Sequence, residues 1–283
     1  MREALLIHDK LYRKLNPNTK EITVLNGTVH SKFNKAINLQ LDNGLFFSVL
    51  NRNIDASPFS ILLDLINFDS IDIFVGEKFY IKNKTIYFKN EVVSYKKAKI
   101  YKLNKSIIDG NSEYLIHNYK IIENKLQSLK DKITNETEKI INNKLYLVSE
   151  ELFLSFKNND EKKIMDIIEK LIGLGMGLTP SGDDYISGLL LIIVAINSPL
   201  KEYKELFYKI ILKNKYNTNI ISYEMLKNSI EGDFKSLYTN FLNKVFNCKL
   251  NFDDIDMILK IGHTSGKDTL LGIFTGLKIL LII

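Results

Sequence analysis

The chain has no tryptophan and one cysteine, Cys248, in 283 residues. One thiol excludes an intrachain disulfide and a cysteine metal cluster, and it is compatible with a reducing cytoplasm. No arginine occurs in residues 106–283, so that part lacks the usual bidentate binder of carboxylate or phosphate. The apolar runs at 186–196 and 270–283 are shorter than a membrane span, and Lys278 interrupts the second, so no membrane partner is expected. The N-terminal stretch from Met1 to Asp9 holds too short an apolar run for a secretory signal. No dense block of Lys and Arg with interleaved aromatics is present either. The net charge is +6, yet the chain from Glu161 onward carries 15 lysines against 14 acids. The positive excess therefore sits ahead of Glu161 and reads as a solvated surface, with no nucleic acid as partner.

Several site signatures are also missing. Gly266-Lys267 lacks the upstream glycine of a Walker A loop, and Gly173-x-Gly175-x-Gly177 has the wrong spacing for a dinucleotide fingerprint. There is no Gly-x-Ser-x-Gly elbow and no zinc spacing. What is there is ordinary globular composition, 45% hydrophobic and 25% charged, in a chain long enough for two domains.

The hydrophobic pattern changes period once. Residues 2–15 read as one short helix. From 21 to about 103 the signal is mostly β, with short runs at 22–25, 36–41, 45–50, 71–75, 78–82, 85–89 and 91–103. Asp42-Asn43-Gly44 reads as a hairpin turn, and Asn83-Lys84 and Asn90 as further turns. Ser57-Pro58 reads as an N-cap and N1 proline opening a helix through residue 65. His8 and His30 stand alone, which makes structural roles the default. After about 105 the spacing becomes helical and stays so, with Gly173 as a helix C-cap and Gly232 as a stop. The fold expected is α+β: a small antiparallel, barrel-like β domain at 1–105, then an all-α domain at 106–283.

One stretch organises the helical half. Gly173-Leu174-Gly175-Met176-Gly177-Leu178-Thr179-Pro180-Ser181-Gly182-Asp183-Asp184 precedes an apolar helix. A shortened copy lies near the end of the chain: Ser181-Gly182-Asp183-Asp184 and Gly188 align without gaps with Ser265-Gly266-Lys267-Asp268 and Gly272. Gly188 and Gly272 lie on the same helix face as the aligned Asp, so the two helices could cross closely there, or the glycines could simply make room for neighbours. Free N–H groups and the macrodipole at a helix N-terminus attract anions, and glycines let backbone approach a ligand. Ser181 with Asp184, and Ser265 with Asp268, equally fit a capping box that needs no ligand. Asp183 lies outside that box. Adjacent carboxylates could hold a cation such as Mg²⁺, accept a substrate amide, or act as a base, and they would repel a bare phosphate. No cofactor is otherwise implied.

The candidate catalytic residues are therefore Asp183, Asp184, Asp268 and His263, the last a hydrogen-bond donor or general acid/base in the Gly262-His263-Thr264-Ser265-Gly266 loop. The candidate binding residues are Gly175, Gly177, Thr179, Ser181 and Gly182 on one loop, and Thr264, Ser265, Gly266 and Lys267 on the other. Ser222, in the helix-opening segment 218–222, joins them. The expected ligand is a small anion.

These motifs resemble the AllH-type family associated with oxamate carbamoyltransferase. The likeness rests on residues 173–184 and 262–268, on Gly27-x-Val29-x-Ser31-x-Phe33 with Ala36, Asn38 and Leu39, and on Thr218 to Ser222 with Leu226 and Gly232. It implies an enzyme subunit in anaerobic purine or allantoin breakdown that interconverts carbamoyl phosphate plus oxamate with oxalurate plus phosphate. It also implies partner subunits, one of them FdrA-like, and a carbamate kinase that uses the carbamoyl phosphate. A non-catalytic assembly or effector-binding subunit is the alternative reading. The resemblance carries no settled catalytic set, so the residues above stand on their chemistry.

Overall fold

The computed structural model describes residues 1–17, 24–55, 57–103, 107–110, 113–130 and 132–282. It divides into two compact units, Met1–Asn104 and Lys105–Ile283.

The first unit is a closed sheet. Its strands are β1 (Arg2–His8), β2 (Leu25–Lys32), β3 (Ala36–Leu41), β4 (Phe46–Asn51), β5 (Ser60–Leu63), β6 (Lys78–Lys82), β7 (Thr85–Tyr87), β8 (Val92–Ser94) and β9 (Lys99–Tyr101). The order β5-β4-β3-β2-β6-β7-β8-β1 closes on itself because β1 also pairs with β5, and β9 adds alongside β1. Closure removes the exposed sheet edges that invite aggregation. Most pairings are antiparallel; β4–β5, β1–β8 and β1–β9 are parallel. The β3–β4 connection uses Gly44 at φ +86°, and β6–β7 turns on Asn83 and Lys84, both at positive φ as a two-residue hairpin demands. Val29, Leu39, Phe47, Ile61, Phe79 and Ile86 fill the interior.

Three sequence expectations fail here, and the run at 91–103 forms two short strands, β8 and β9, instead of one. Residues 2–15 form a strand followed by a helix, α1 (Asp9–Leu15), which adds Leu11 and Leu15 to the same core. Residues 57–65 hold β5, every residue of which is buried. Ser57-Pro58 opens a turn with Phe59 at φ +47°, not a helix, and the chain then enters β5, which pairs with β4 and β1. Residues 71–75 carry no strand; Ile71 and Ile73 point into the core from an irregular segment. The 22–25 expectation falls largely outside the described residues. His8 is buried and accepts a hydrogen bond from the Phe59 N–H, while His30 is exposed beside Ser31.

The second unit is helical: α2 (Leu115–Lys130), α3 (Glu136–Lys157), α4 (Glu161–Leu171), α5 (Ser181–Ala195), α6 (Lys204–Lys213), α7 (Ile220–Ile230), α8 (Ser236–Asn247), α9 (Phe252–Leu259) and α10 (Ser265–Leu280). One short parallel pairing, β10 (Ile108–Asp109) with β11 (Ile196–Asn197), ties its start to the end of α5. In α5 only Val194 escapes full burial, so its apolar residues run all round the helix and the other helices wrap it. Its main partner is α10. Among the described residues no helix is long and apolar enough to cross a membrane.

Candidate functional site

The site lies where the N-termini of α5 and α10 meet. The crossing is set by glycine. A methyl group on Gly188 would run into the Thr269 carbonyl oxygen, and one on Gly272 into that of Tyr185. Thr269 and Tyr185 are themselves aligned positions of the two copies, so each copy presses its glycine against the same point of the other. Gly182 and Gly266 repeat the device nearer the helix starts. Each abuts the last turn of the helix before it, at the Leu171 and Ile258 carbonyls. Each also donates its N–H into the preceding loop, to Leu174 at 2.8 Å and to Ile261 at 2.9 Å. The two copies are thus related by an approximate two-fold, the first loop being the longer.

That longer loop runs from Gly173 to Pro180, with Gly173, Gly175 and Gly177 at φ of +78°, +114° and +99°. This left-handed backbone is cheap only for glycine. Gly173 follows the last turn of α4, as a C′ glycine should. Met176, Gly177 and Leu178 form the exposed tip.

The expected capping boxes do not form. Pro180 and Thr264 occupy the N-cap positions, with no side-chain cap, so Ser181 and Ser265 already lie in their helices. The hydroxyls cross over instead. Asp184 has the Ser265 and Thr179 hydroxyls beside it, and Asp268 has those of Ser181 and Thr264. Thr179 Oγ1 and Ser265 Oγ are 2.9 Å apart. The local reading failed because each Ser serves the carboxylate of the other copy. A true capping box occurs at α9, between Asn251 and Asp254.

Asp184 and Asp268 are 3% and 2% exposed, and one oxygen of each, Oδ2, has no hydrogen-bond partner. Burial raises Asp184 from 3.8 to about 7; the neighbouring hydroxyls oppose this, and the charge of Asp268 adds to it. Burial likewise raises Asp268 to about 6, against the Ser181 hydroxyl and the Lys267 charge. A buried carboxylate with a spare acceptor costs stability, which makes this pair the candidate site of the helical unit.

The other expected residues divide. Asp183 is fully buried and keeps both oxygens inside the chain: Gly173 N–H donates to Oδ1 at 2.9 Å and the Thr218 hydroxyl donates to Oδ2. It clamps the α4–α5 loop to the start of α7. Burial raises its pKa, with Thr218 and the Gly173 amide pulling it back. Ser222 is buried near Asp183, and its hydroxyl has no partner in hydrogen-bond geometry. Lys267 donates to Glu138 of α3 at 2.7 Å, which turns its charge away from a simple anion-binding role. His263 is exposed on the second loop. Among the described residues no group of three or more His, Cys, Asp or Glu gathers as a metal site.

Sequence reasoning missed Thr218, Asn219, Glu138 and Lys235. Asn219 caps α7 and donates to the Leu178 carbonyl at 2.9 Å, which fixes the glycine loop against α7. Lys235 lies close enough to lower the Asp184 pKa. The segment at 218–222 was visible as a helix start; nothing local in the sequence signalled Glu138, which lies far from Lys267 along the chain.

Fold and site define a two-unit chain: a closed β unit, then a helical unit with a duplicated Ser-Gly-x-Asp motif built around two buried carboxylates. Two family models match it, one described as the AllH family N-terminal domain over residues 3–100, the other as oxamate carbamoyltransferase subunit AllH over residues 171–277. The chain belongs to the AllH family of carbamoyltransferase-associated subunits. No solved structure matches it.

Proposed function

We propose that this chain holds the carbamoyl-bearing substrate of an oxamate carbamoyltransferase at the paired N-termini of α5 and α10. The observation that carries this reading is the pair of spare buried oxygens, Asp184 Oδ2 and Asp268 Oδ2. Amide hydrogens are the natural partners for such acceptors. The Thr179, Ser181, Thr264 and Ser265 hydroxyls serve the two carboxylates, and the Gly182, Asp183, Asp184, Gly266 and Asp268 amides bond to backbone carbonyls, which leaves the Ser181, Ser265 and Lys267 amides at the two helix starts as donors for a carbonyl oxygen.

In the reaction, the carbon–oxygen bond of carbamoyl phosphate to its phosphate breaks, and a carbon–nitrogen bond to the oxamate amide forms. The amide nitrogen gives up one proton, which passes through a carboxylate to the departing phosphate. A carboxylate titrating near neutrality suits that transfer. The chemistry belongs to purine or allantoin breakdown, in assembly with other subunits, one of them FdrA-like. Those subunits supply a cation for the phosphate or carboxylate, since the helical unit has no arginine and its Lys267 is paired with Glu138.

The test is the assembled enzyme with Asp184→Asn or Asp268→Asn. Both variants should assemble and lose at least about a hundredfold in kcat, the scale of general acid–base catalysis. Normal turnover in both would end the proposal. One observation favours a second reading, an assembly or effector-binding subunit: Met176 and Leu178, 75% and 47% exposed, put apolar side chains at the tip of the glycine loop. On that reading the two Asp variants turn over normally and Met176→Glu disrupts the complex on size-exclusion chromatography.

A further inference from the structure

Helix α3 carries two apolar lines on opposite sides. The inner line, Leu145, Leu152 and Phe156, is buried in the core of the helical unit. The outer line is Ile140, Leu147 and Leu154, which are 66%, 67% and 53% exposed. Its members are seven residues apart, so each lies within about 20° of the next around the helix. Leu147 stands opposite the middle of the buried line. Single exposed hydrophobic residues are ordinary, but a row of three at heptad spacing is the seam of a helix pair. A helix that faces one core and water has one apolar stripe, and a second stripe on the far side calls for a second body.

The charges beside the row point to that body. Lys144 sits between Ile140 and Leu147, and Glu151 between Leu147 and Leu154, both exposed and on the same flank. Lys144 has no ion pair among the described residues, and Glu151 reaches only Lys163, at 3.8 Å with both side chains about half exposed. A two-fold that sets two copies of α3 antiparallel places Leu147 on Leu147 of the second copy and Ile140 on its Leu154. Lys144 lies three residues before the centre and Glu151 four after it, so Lys144 meets Glu151 of the second copy within about 1.5 Å along the axis. The symmetry makes that pair twice. Glu136 and Lys157 match at the outer ends by the same count. A parallel arrangement holds Lys144 and Glu151 about 10 Å apart along the axis and makes no such pair. The row is therefore complementary to itself in one orientation. We propose that the outer face of α3 is a homodimer interface, its occupant a second copy of α3 running antiparallel across a two-fold at Leu147. Three apolar side chains from each copy make a small contact, at the weak end of specific interfaces. The proposal does not draw on the substrate site.

Sedimentation velocity of the full-length chain, from about 1 to about 200 µM, should show a reversible monomer–dimer equilibrium. Leu147→Glu puts two carboxylates at the centre and should weaken association at least about tenfold, since two leucines leave the contact. Lys144→Glu and Glu151→Lys should each weaken it several-fold, because each turns two attractive pairs into repulsive ones. An equal mixture of these two variants should associate like wild type, and so should the chain that carries both changes. All three positions are exposed, so circular dichroism spectra and Tm should stay at wild-type values. A chain that is monomeric throughout the range overturns the proposal. A dimer that Leu147→Glu leaves intact overturns it as well, as do charge variants that neither the mixture nor the double change rescues. A monomeric wild type whose Leu147→Glu variant fails to join other subunits would give the row to one of those subunits and remove the second copy from it.

Discussion

The two copies of the motif agree at some positions and part at others, and one disagreement shows how the helix starts are held. Ser181 and Ser265, Asp184 and Asp268, and the glycines at 182, 188, 266 and 272 are shared. The third position is Asp183 in one copy and Lys267 in the other. Asp183 takes hydrogen bonds from Gly173 and Thr218; Lys267 gives one to Glu138. Opposite charges thus do the same job, anchoring each helix N-terminus to a different neighbour. The shared serines and aspartates face the other copy and leave spare acceptors. Shared positions carry the buried pair proposed as the site, and the divergent third position anchors each helix start.

The largest expected effect comes from breaking the crossing. Gly188→Val or Gly272→Val places a branched side chain against backbone of the facing helix, where no rotamer change relieves it. Overpacking of cores costs about 1–3 kcal/mol, and a backbone neighbour puts these substitutions at or above the top of that range. Urea denaturation should show a loss of at least about 3 kcal/mol in both variants. A loss in only one would contradict the reciprocity of the two copies.

The adjacent aspartates should respond in opposite directions. Asp183→Asn leaves an amide where two donors need acceptors, and should cost about 1–3 kcal/mol at pH 5 and at pH 8. Asp184 is raised from 3.8 to about 7, so between those values the folded chain holds a proton that the unfolded chain has lost. Wild-type stability therefore falls as pH climbs from about 4 to about 7. Asp268 adds a similar fall that ends near 6. Asp184→Asn removes the first contribution. The variant should be more stable than wild type at pH 8, by up to a few kcal/mol at about 1.4 kcal/mol per pKa unit, and closer to it at pH 5. Melting curves at the two pH values check both claims. A stabilising substitution that abolishes turnover is what a functional residue gives.

Much of this was legible, for a physical reason. The change from β to helical period at about 105, the hairpin at residues 42–44, the C-terminal glycine of α4 and the aligned Ser-Gly-x-Asp copies are local patterns, and the structure keeps them. Most of the failures are non-local. Residues 2–8 favour helix on their own and become β1 because β5, β8 and β9 pair with them. Ser57-Pro58 has a helix-start signature and instead leads through a turn into β5, which β4 and β1 hold from both sides. The capping boxes at 181–184 and 265–268 have the correct spacing, yet the side chains bond from one copy to the other instead of within one turn. Duplication was the one sequence signal able to suggest that exchange, since two equal motifs on crossing helices can swap partners.

The smallest effect tests whether the mounting stays out of the chemistry. Lys267→Met breaks a pair whose side chains are 13% and 25% exposed and leaves Glu138 within reach of water. The stability cost should be about 1 kcal/mol or less. Lys267 also lowers the Asp268 pKa, so without it Asp268 should titrate above its value of about 6. Carboxyl carbon chemical shifts followed against pH would show this. An upward move for Asp268, with a small stability change, makes Lys267 a tuner of the second aspartate as well as its anchor. The copies would then differ in proton affinity while remaining equivalent in geometry. Such a pair can separate its roles, with the more readily ionised Asp268 accepting and the more basic Asp184 carrying the proton. An unmoved Asp268 would confine Lys267 to the mounting, and the spread between about 6 and about 7 would then rest on burial, on the neighbouring hydroxyls, and on the charges of Asp268 and Lys235 at Asp184 and of Glu138 at Asp268.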